Sequence, residues 1–400
     1  MLEVPRSQGW SHGLTQRDLF NEARAAATGR LDQAGRFLRI QVVGWAWHYL
    51  KSRAGGRDRF ATYAPGAGAG IHDLVTQGQE PIRVSVAGDW GTGSEEAYAI
   101  GQLIERGRPD FTIHLGDVYY VGSKREVMEN MLGGQVTWPL GAERSFALNG
   151  NHEMYARGKA YFRRLLPALG QGASYFALRN DHWLLVGLDT GYNSVGVPIL
   201  EKVVTPSCRL PDALLQWLRD DLQIDRDARR GIVLMSHHQY YSAFERGQER
   251  PARQLQELIR RPVLWLWGHE HRFAIYGKAR GKDSTLEAYG RCLGHGAMPV
   301  EKPQTAPSPR RRAELRLAIY DARVKRVLPE KHTPIGYNGY ADLLFQGPEL
   351  TIEHRDIDGS LLVRERWRVE TGGMLRCVAV DRQIEDPALI VIGNPVAAMA

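Results

Sequence analysis

The sequence predicts an α/β fold, because short apolar runs alternate with helix-like stretches over most of the chain. Each run is rich in Ile, Val, Leu or Trp and ends in Gly or a polar cluster. With 400 residues, of which 43% are hydrophobic and 24% charged, the chain can form one large core with smaller appendages. The runs predicted as strands are 82–87, 111–115, 146–148, 183–188, 232–235 and 263–267.

Residues 1–75 are predicted to form a helical N-terminal extension and a linker. Apolar residues recur at three- and four-residue steps from Leu31 to Tyr49, which is the helical period. The part from 37 to 50 is apolar over most of its circumference, so burial against a domain or a subunit is favoured, and peripheral membrane contact is the alternative. The stretch 65–70 is rich in Gly and predicts a flexible linker.

Residues 76–372 are predicted to form the main domain. Within it, 211–224 is a helix candidate with Pro at its start and leucines on one stripe. The Pro-rich, basic stretch 301–312 predicts an extended loop. Strands predicted at 343–345, 350–355 and 361–369 complete a sheet, and the tail 373–400 receives no assignment.

Net charge, cysteine content and apolar segments indicate the partners and the location to expect for this protein. The formal net charge of +7 favours anionic partners. The three cysteines lie far apart without C-x-x-C spacing, so the sequence indicates neither a disulfide framework nor a thiolate zinc site. We find neither a secretory signal nor the roughly 18 apolar residues that a transmembrane helix needs. A cytoplasmic location is therefore expected, and secretion stays open if a signal lies outside this sequence.

Polar side chains follow five of the predicted strands at the point where each strand ends. In order they are Asp89; Asp117 with Tyr120; Asn151 with His152 and Glu153; His237 with His238; and His269 with Glu270 and His271. Because functional groups gather at the carboxyl ends of strands in α/β sheets, we expect these five ends to meet. Gly precedes four of the groups, where a chain leaving a strand sharply needs unusual dihedrals or clearance.

The donor set combines carboxylate, imidazole and amide groups and contains no thiolate. Such ligands suit iron, manganese or zinc, and they argue against copper(I) or an iron–sulfur cluster. The candidates outnumber the four to six positions of a single ion, which favours two metal ions. A carboxylate that bridges ions roughly 3.5–4 Å apart forms a clamp suited to in-line displacement at phosphorus.

The ordered motifs GDWG, GDVYY, GNHE, SHH and GHEH resemble those of the calcineurin-like metallophosphoesterase superfamily, and specifically its purple acid phosphatase branch. The resemblance spans residues 82 to 271. The superfamily commonly has His at the second position after the first Asp, where this chain has Gly91, and the branch has a Tyr three residues after the second Asp, where this chain has Tyr120. The ligands that the resemblance implies are Asp89, Tyr120 and His271 for one metal, Asn151, His237 and His269 for the other, and Asp117 as the bridge.

The resemblance also implies two mixed β-sheets packed face to face and flanked by helices on both sides. A Tyr120 phenolate favours ferric iron in its site, with iron, zinc or manganese in the other. Two cations lower the pKa of a bound water towards about 7, which supplies a hydroxide nucleophile. His152 is the expected general acid. His238 contacts the substrate or orients its neighbour, and Glu153 and Glu270 are expected to hydrogen-bond around the ligands.

The predicted activity is hydrolysis of a phosphomonoester or a phosphodiester. One alternative is a nuclease, which the positive charge permits without a recognised nucleic-acid module. The other is a non-catalytic scaffold that keeps the fold for protein or membrane binding. Asp189 also ends an apolar run, but we expect it to form a turn or to support a ligand rather than bind metal.

Overall fold

The computed structural model describes residues 56–66, 68–78, 81–133, 136–194, 207–302, 306–328 and 333–400. The helical prediction for the N-terminal extension, including the candidate membrane-contacting stretch 37–50, lies outside the described residues. Within those ranges, the structure contains no helix that is both long and apolar enough to cross a membrane.

Eighteen strands are present in the described ranges. They are β1 Ile71–Asp73, β2 Ile82–Ala87, β3 Phe111–His114, β4 Arg144–Ala147, β5 Phe176–Arg179, β6 Trp183–Gly187, β7 Gly231–Ser236, β8 Val263–Trp267, β9 Phe273–Ala279, β10 Ala288–Leu293, β11 Leu317–Asp321, β12 Arg326–Leu328, β13 Thr333–Ile335, β14 Gly339–Gln346, β15 Glu349–Asp356, β16 Leu361–Val369, β17 Leu375–Arg382 and β18 Leu389–Val391.

The helices are short, and two of them are each adjacent to one π-helical turn. They are α1 Glu95–Arg106, α2 Lys124–Val127 followed by the π turn Met128–Leu132, α3 Asn151–Tyr155, α4 Leu166–Ala168 preceded by the π turn Tyr161–Leu165, α5 Asp212–Asp220, α6 Arg250–Leu255, α7 Pro309–Glu314 and α8 Pro395–Met399. A 3₁₀ turn spans Thr371–Gly373.

Two large mixed sheets organise these strands. The first has nine strands in the order β1-β5-β6-β7-β8-β10-β9-β11-β18, and the second has seven in the order β17-β16-β15-β14-β2-β3-β4. Strands β6, β7 and β8 are parallel neighbours in the first sheet, as are β2, β3 and β4 in the second. Strands β12 and β13 form a separate antiparallel pair.

The main core lies between the two sheets. It combines Val84 and Ile113 of the second sheet with Val233 and Leu264 of the first, all fully buried. Phe146 and Phe176 stack across the interface with ring centroids 4.0 Å apart. This arrangement confirms the prediction of two mixed sheets packed face to face.

Helices cover both outer faces, as predicted. Ile100 and Ile104 of α1 pack in a cluster on the outer side of the second sheet. Leu214 and Leu218 of α5 pack on the outer side of the first sheet. The side chain of Ser94 accepts a hydrogen bond from the backbone N–H of Ala97 and so caps α1.

The sheets extend beyond the boundaries of the predicted main domain. They begin with β1, before residue 76, and they include β17 and β18, which lie in the tail that received no assignment. Part of the stretch predicted as an extended loop is helical, because Ser308 caps the first turn of α7 and Pro309 occupies its first position. The helix predicted at 211–224 ends at Asp220.

Candidate metal centre

The side chains that follow the five strands converge between the two sheets at the carboxyl ends of β2, β3, β4, β7 and β8. The backbone N–H of His269 donates to Asp89 Oδ2 at 2.7 Å and so links the end of β8 to the end of β2. Ligand atoms of Asp89, Asp117 and His237 lie within 4.8 Å of one another. The convergence predicted from sequence is therefore present in the structure.

A first cluster surrounds the hydroxyl of Tyr119. Tyr119 Oη donates to Asp89 Oδ1 at 2.7 Å and lies 2.9 Å from His271 Nε2. His271 Nε2 is in turn 3.3 Å from Asp89 Oδ1. One oxygen of a carboxylate, one phenol oxygen and one imidazole nitrogen thus lie within hydrogen-bond distance of one another.

A second cluster surrounds His237 Nε2. Asn151 Oδ1 lies 3.1 Å from this nitrogen, and His269 Nδ1 lies 3.3 Å from it. Asn151 Nδ2 donates to the hydroxyl of Tyr155, which directs the amide oxygen towards His237. An amide oxygen and two imidazoles therefore meet here.

Asp117 joins the two clusters through a single oxygen. Its Oδ2 lies 3.3 Å from Tyr119 Oη and 3.2 Å from His237 Nε2. Its other oxygen accepts the backbone N–H of His152 at 3.0 Å, which fixes the orientation of the carboxylate. One carboxylate oxygen therefore contacts a donor atom of each cluster.

The phenol in the first cluster belongs to Tyr119, whereas the motif spacing had pointed to its neighbour Tyr120. Tyr120 contributes its backbone to the site: its N–H donates to Glu126 Oε1 at 2.6 Å, and its carbonyl lies 2.5 Å from His152 Nδ1. Burial and the negative charges of Asp89 and Asp117 hold the pKa of Tyr119 well above its ordinary value. The hydroxyl is therefore protonated in the metal-free protein.

The donor atoms of the second cluster fit a cation. His237 Nδ1 is 3.0 Å from the carbonyl of Leu115, to which it donates, so Nε2 of neutral His237 carries a lone pair. That lone pair faces oxygens of Asn151 and Asp117, which are also acceptors. Acceptors that converge in a buried space need a proton or a cation between them.

The pKa values agree with this need for positive charge. Burial lowers the pKa of His237, but the charge and hydrogen bond of Asp117 outweigh it, and the pKa rises to about 9. Burial raises the pKa of Asp117, but the charges of His237 and His152 outweigh it and hold that pKa well below its usual range. Without metal, a proton on His237 compensates the carboxylates; a cation would displace it.

His152 lies beside both clusters. Its Nε2 is 3.8 Å from Asp117 Oδ2, and its ring packs on that of Tyr119 with centroids 4.3 Å apart. Because Nδ1 donates to the carbonyl of Tyr120, the ring is oriented with Nε2 towards the bridging carboxylate. The side chain is 22% exposed, so it can reach a molecule in the cleft.

His238 is buried beside the second cluster: its ring lies 4.6 Å from that of His269, and ligand atoms of His237, His238 and His269 lie within 4.8 Å of one another. Thr190 Oγ1 accepts the backbone N–H of His238 at 3.1 Å and lies 3.1 Å from His238 Nδ1. Thr190 had not been singled out from sequence. The only signal was its place directly after Asp189 at the end of an apolar run.

The hydrogen bonds of the Asp189 carboxylate go to residues outside the two clusters. Its carboxylate accepts the backbone N–H of Tyr192 at 2.7 Å and the side-chain amide of Asn149 at 3.2 Å. Burial raises the pKa of Asp189 to about 6. It holds a turn next to the site, as the sequence had indicated.

Glu153 and Glu270 support the loops that carry the ligands. Glu153 Oε2 accepts the backbone N–H groups of Gly150 at 3.0 Å and Asp117 at 3.2 Å. Glu270 Oε2 accepts the hydroxyl of Ser242 at 2.6 Å. Burial raises the pKa of each glutamate to about 8.

Comparison with known proteins bears on this site. Residues 82–273 match the model of the calcineurin-like phosphoesterase family. The solved structure of PhoD is similar with a TM-score of 0.50 at 11% identity, over 80% of this chain and 73% of that one, which shows a shared fold. No curated protein gave a significant sequence match.

Two further solved structures are similar at lower scores. GAP50, described as the anchor in the inner membrane complex of Plasmodium, has a TM-score of 0.46 at 13% identity, over 80% of this chain and 91% of that one. A dimetal phosphatase from Danio rerio has a TM-score of 0.40 at 13% identity, over 70% of this chain and 97% of that one.

Proposed function

Because the chain belongs to the calcineurin-like phosphoesterase family through residues 82–273, we propose that it hydrolyses phosphate esters at a centre of two metal ions. The observation that carries the proposal is the position of Asp117 Oδ2, within 3.3 Å of a donor atom in each cluster. A shared carboxylate oxygen between two donor sets is the arrangement that holds two neighbouring cations.

The first ion would be held by Asp89, Tyr119 and His271, and the second by Asn151, His237 and His269, with Asp117 common to both. Tyr119 takes the role that motif spacing had suggested for Tyr120. A phenolate ligand favours ferric iron in the first site, while the imidazole and amide donors of the second suit iron, zinc or manganese. The phenol next to a carboxylate pair supports placement in the purple acid phosphatase branch, with acid phosphatase-like activity.

When bound, the two cations supply positive charge for the phosphoryl oxygens and activate a water molecule as the nucleophile. The chain itself supplies the proton for the leaving group. His152 Nε2 lies next to the bridging carboxylate, so a protonated ring can donate to the departing alkoxide. The bond between His152 Nδ1 and the carbonyl of Tyr120 keeps the ring in this orientation during proton transfer.

His238 is proposed to bind the phosphoryl group of the substrate. Thr190 Oγ1 accepts the backbone N–H of His238 and lies 3.1 Å from His238 Nδ1. We assign the hydroxyl proton of Thr190 to His238 Nδ1, which places the ring proton of neutral His238 on Nε2. A fixed N–H donor beside His269 suits a phosphate oxygen better than a metal ion, which requires a lone pair.

The test is elemental analysis of the chain purified without chelating tags, together with hydrolysis of p-nitrophenyl phosphate, bis-p-nitrophenyl phosphate and single-stranded DNA. We expect two metal ions per chain and turnover of at least one ester. Turnover of DNA alone would favour the nuclease alternative, and metal-free protein without turnover would favour the scaffold.

Asp117→Asn tests the bridge itself. We expect this variant to lose at least one of the two ions together with turnover, because an amide cannot supply the shared negative charge. Asp342→Asn is the matched control, since Asp342 is an equally buried carboxylate that bonds to Arg83 and Ser85 away from the clusters. Retention of both ions by Asp117→Asn would refute the proposed bridge.

A further inference from the structure

A short segment before the family-matching region contacts the two loops that support the site. We call residues 57–63 the strap. The family match begins at residue 82, so the strap lies outside the matched region. Phe60 of the strap packs against Tyr192 with ring centroids 4.9 Å apart, and Arg57 lies over the same Tyr192 ring at 4.8 Å.

Asp58 makes the central contacts of the strap. Its backbone N–H donates to the carbonyl of Arg157 at 2.9 Å, and its carbonyl accepts the hydroxyl of Tyr192 at 2.9 Å. Its carboxylate accepts two hydrogen bonds from Arg163, at 2.7 and 2.6 Å. Asp58 is only 9% exposed, although it lies in a segment without regular secondary structure.

The partners of Asp58 belong to two different loops of the site. Arg157 and Arg163 follow α3, the helix that carries Asn151 and His152. Tyr192 lies in the turn after β6, where its backbone N–H donates to Asp189. One residue of the strap therefore joins both loops.

Each of the two loops reaches the proposed catalytic groups through short contacts. The first loop continues directly from α3, which bears His152, and His152 Nε2 is 3.8 Å from Asp117 Oδ2. In the second, Asp189 holds the side chain of Asn149, and Thr190 holds both the backbone and the ring of His238. Motion of one loop relative to the other would change the separation of the proton donor and the phosphoryl-binding group.

We propose that Asp58 is a positioning residue that clamps these two loops together and thereby sets the rate of hydrolysis. The inference rests on the proposed function for its effect on rate, but not for its effect on loop mobility. Because proton donation by His152 contributes in the transition state, a loosened clamp lowers kcat more than it raises KM.

The test compares Asp58→Ala with Asp227→Ala. Asp227 is a matched control because its carboxylate also pairs with an arginine, Arg230, at 2.9 Å and accepts backbone N–H bonds. It lies just before β7, whereas His237 follows the other end of that strand, roughly 20 Å away at about 3.3 Å per residue.

Asp58→Ala removes the two bonds to Arg163 and keeps the bonds that the Asp58 backbone makes to Arg157 and Tyr192. Because the loop that holds His238 keeps its contact, we expect a roughly tenfold loss of kcat on p-nitrophenyl phosphate, with KM changed by less than about twofold. Hydrogen exchange should accelerate in peptides covering 151–165 in Asp58→Ala, and in peptides covering 189–194 in Tyr192→Phe, which removes the bond to the Asp58 carbonyl. Arg163→Ala should reproduce the effects of Asp58→Ala, and the double variant Asp58→Ala/Arg163→Ala should lose no more than either single variant, since both remove the same contact.

Equal losses of kcat in Asp58→Ala and Asp227→Ala would overturn the proposal, as would unchanged exchange in the two loops. The proposed function and the proposed role of Asp58 can be refuted independently of each other. If the unmodified protein hydrolyses no phosphate ester, the proposed function is refuted, and the exchange measurement still decides whether Asp58 clamps the loops.

Discussion

Replacement of Tyr119 by Phe tests which of two adjacent tyrosines binds metal. The Tyr119 hydroxyl lies at 2.7 Å from Asp89 Oδ1, 2.9 Å from His271 Nε2 and 3.3 Å from Asp117 Oδ2, so all three neighbours are proposed ligands of the same ion. Loss of one directly bound anionic donor should weaken that ion at least as much as loss of a group that only supports a ligand, which weakens metal binding by about 10–100-fold. We therefore expect affinity for the first metal to fall by about 100-fold, or about 2.7 kcal/mol.

The assay is metal titration beside an absorption spectrum of the iron-loaded protein. With ferric iron at Tyr119, the unmodified protein should be violet and Tyr119→Phe colourless. Tyr120→Phe is the matched control, and it should keep both colour and affinity, because it retains the backbone bonds to Glu126 and His152 and the ring that lies edge-on to Tyr119. Loss of colour in Tyr120→Phe but not in Tyr119→Phe would refute the assignment and restore the tyrosine that motif spacing suggests.

Three further outcomes are expected. His152→Ala should keep both metal ions in elemental analysis and lose turnover by about 100-fold or more, whereas loss of metal would make His152 a ligand. Thr190→Val should raise KM by about tenfold through misorientation of His238, with Thr190→Ser close to the unmodified protein; an unchanged KM in the Val variant would exclude this role. Burial raises the pKa of Glu365, but the charge of Arg291 outweighs it and the pKa falls to about 2. A depressed carboxyl pKa contributes stability above its unfolded value of 4.5 that is lost as pH falls towards 2, here about 3 kcal/mol. Glu365→Gln should remove this pH dependence in urea unfolding, and a wild-type profile that is flat from pH 5 to 3 would contradict the reasoning.

Six of the seven proposed ligand positions could be selected from sequence because each is tied to a local signal. Asp89, Asp117 and His269 each follow an apolar run and a glycine, and parallel strands deliver such positions to one edge of a sheet. The choice between Tyr119 and Tyr120 could not be made in this way. Motif spacing favours Tyr120, whereas the backbone path after Asp117 brings the hydroxyl of Tyr119 to Asp89 and His271.

The remaining differences from the sequence-based prediction come from long-range contacts. Asp58 bonds to residues 105 and 134 positions away, so no local pattern marks the strap, and its glycine-rich continuation had indicated only a flexible linker. Strand β17 was not predicted because its outward residues Val378 and Arg376 are both exposed, which hides the alternation. Its antiparallel hydrogen bonds to β16 hold this segment as a strand, although its own sequence does not indicate one.

The backbone at the site shows where glycine is needed and where it is not. We had expected the glycines before the ligands to supply unusual dihedrals or clearance. Gly116 has a φ of 103°, and Asp89, Asp117 and His269 themselves also have positive φ, at 58°, 74° and 65°. Gly268 instead provides clearance, since a Cβ there would lie 2.7 Å from Asp89 Oδ2.

Left-handed backbone at a non-glycine residue costs roughly 1–3 kcal/mol, and here it occurs at three of the seven proposed ligands. The strain is held by contacts that the strand ends make with each other, such as the bond from the His269 backbone N–H to Asp89 Oδ2. It turns each ligand side chain out of its strand and into the space between the sheets. Because a cation binds only when all of these side chains converge, it stabilises the folded state alone and offsets part of that strain. The two sheets therefore act as the rigid frame that holds strained residues in position for metal binding.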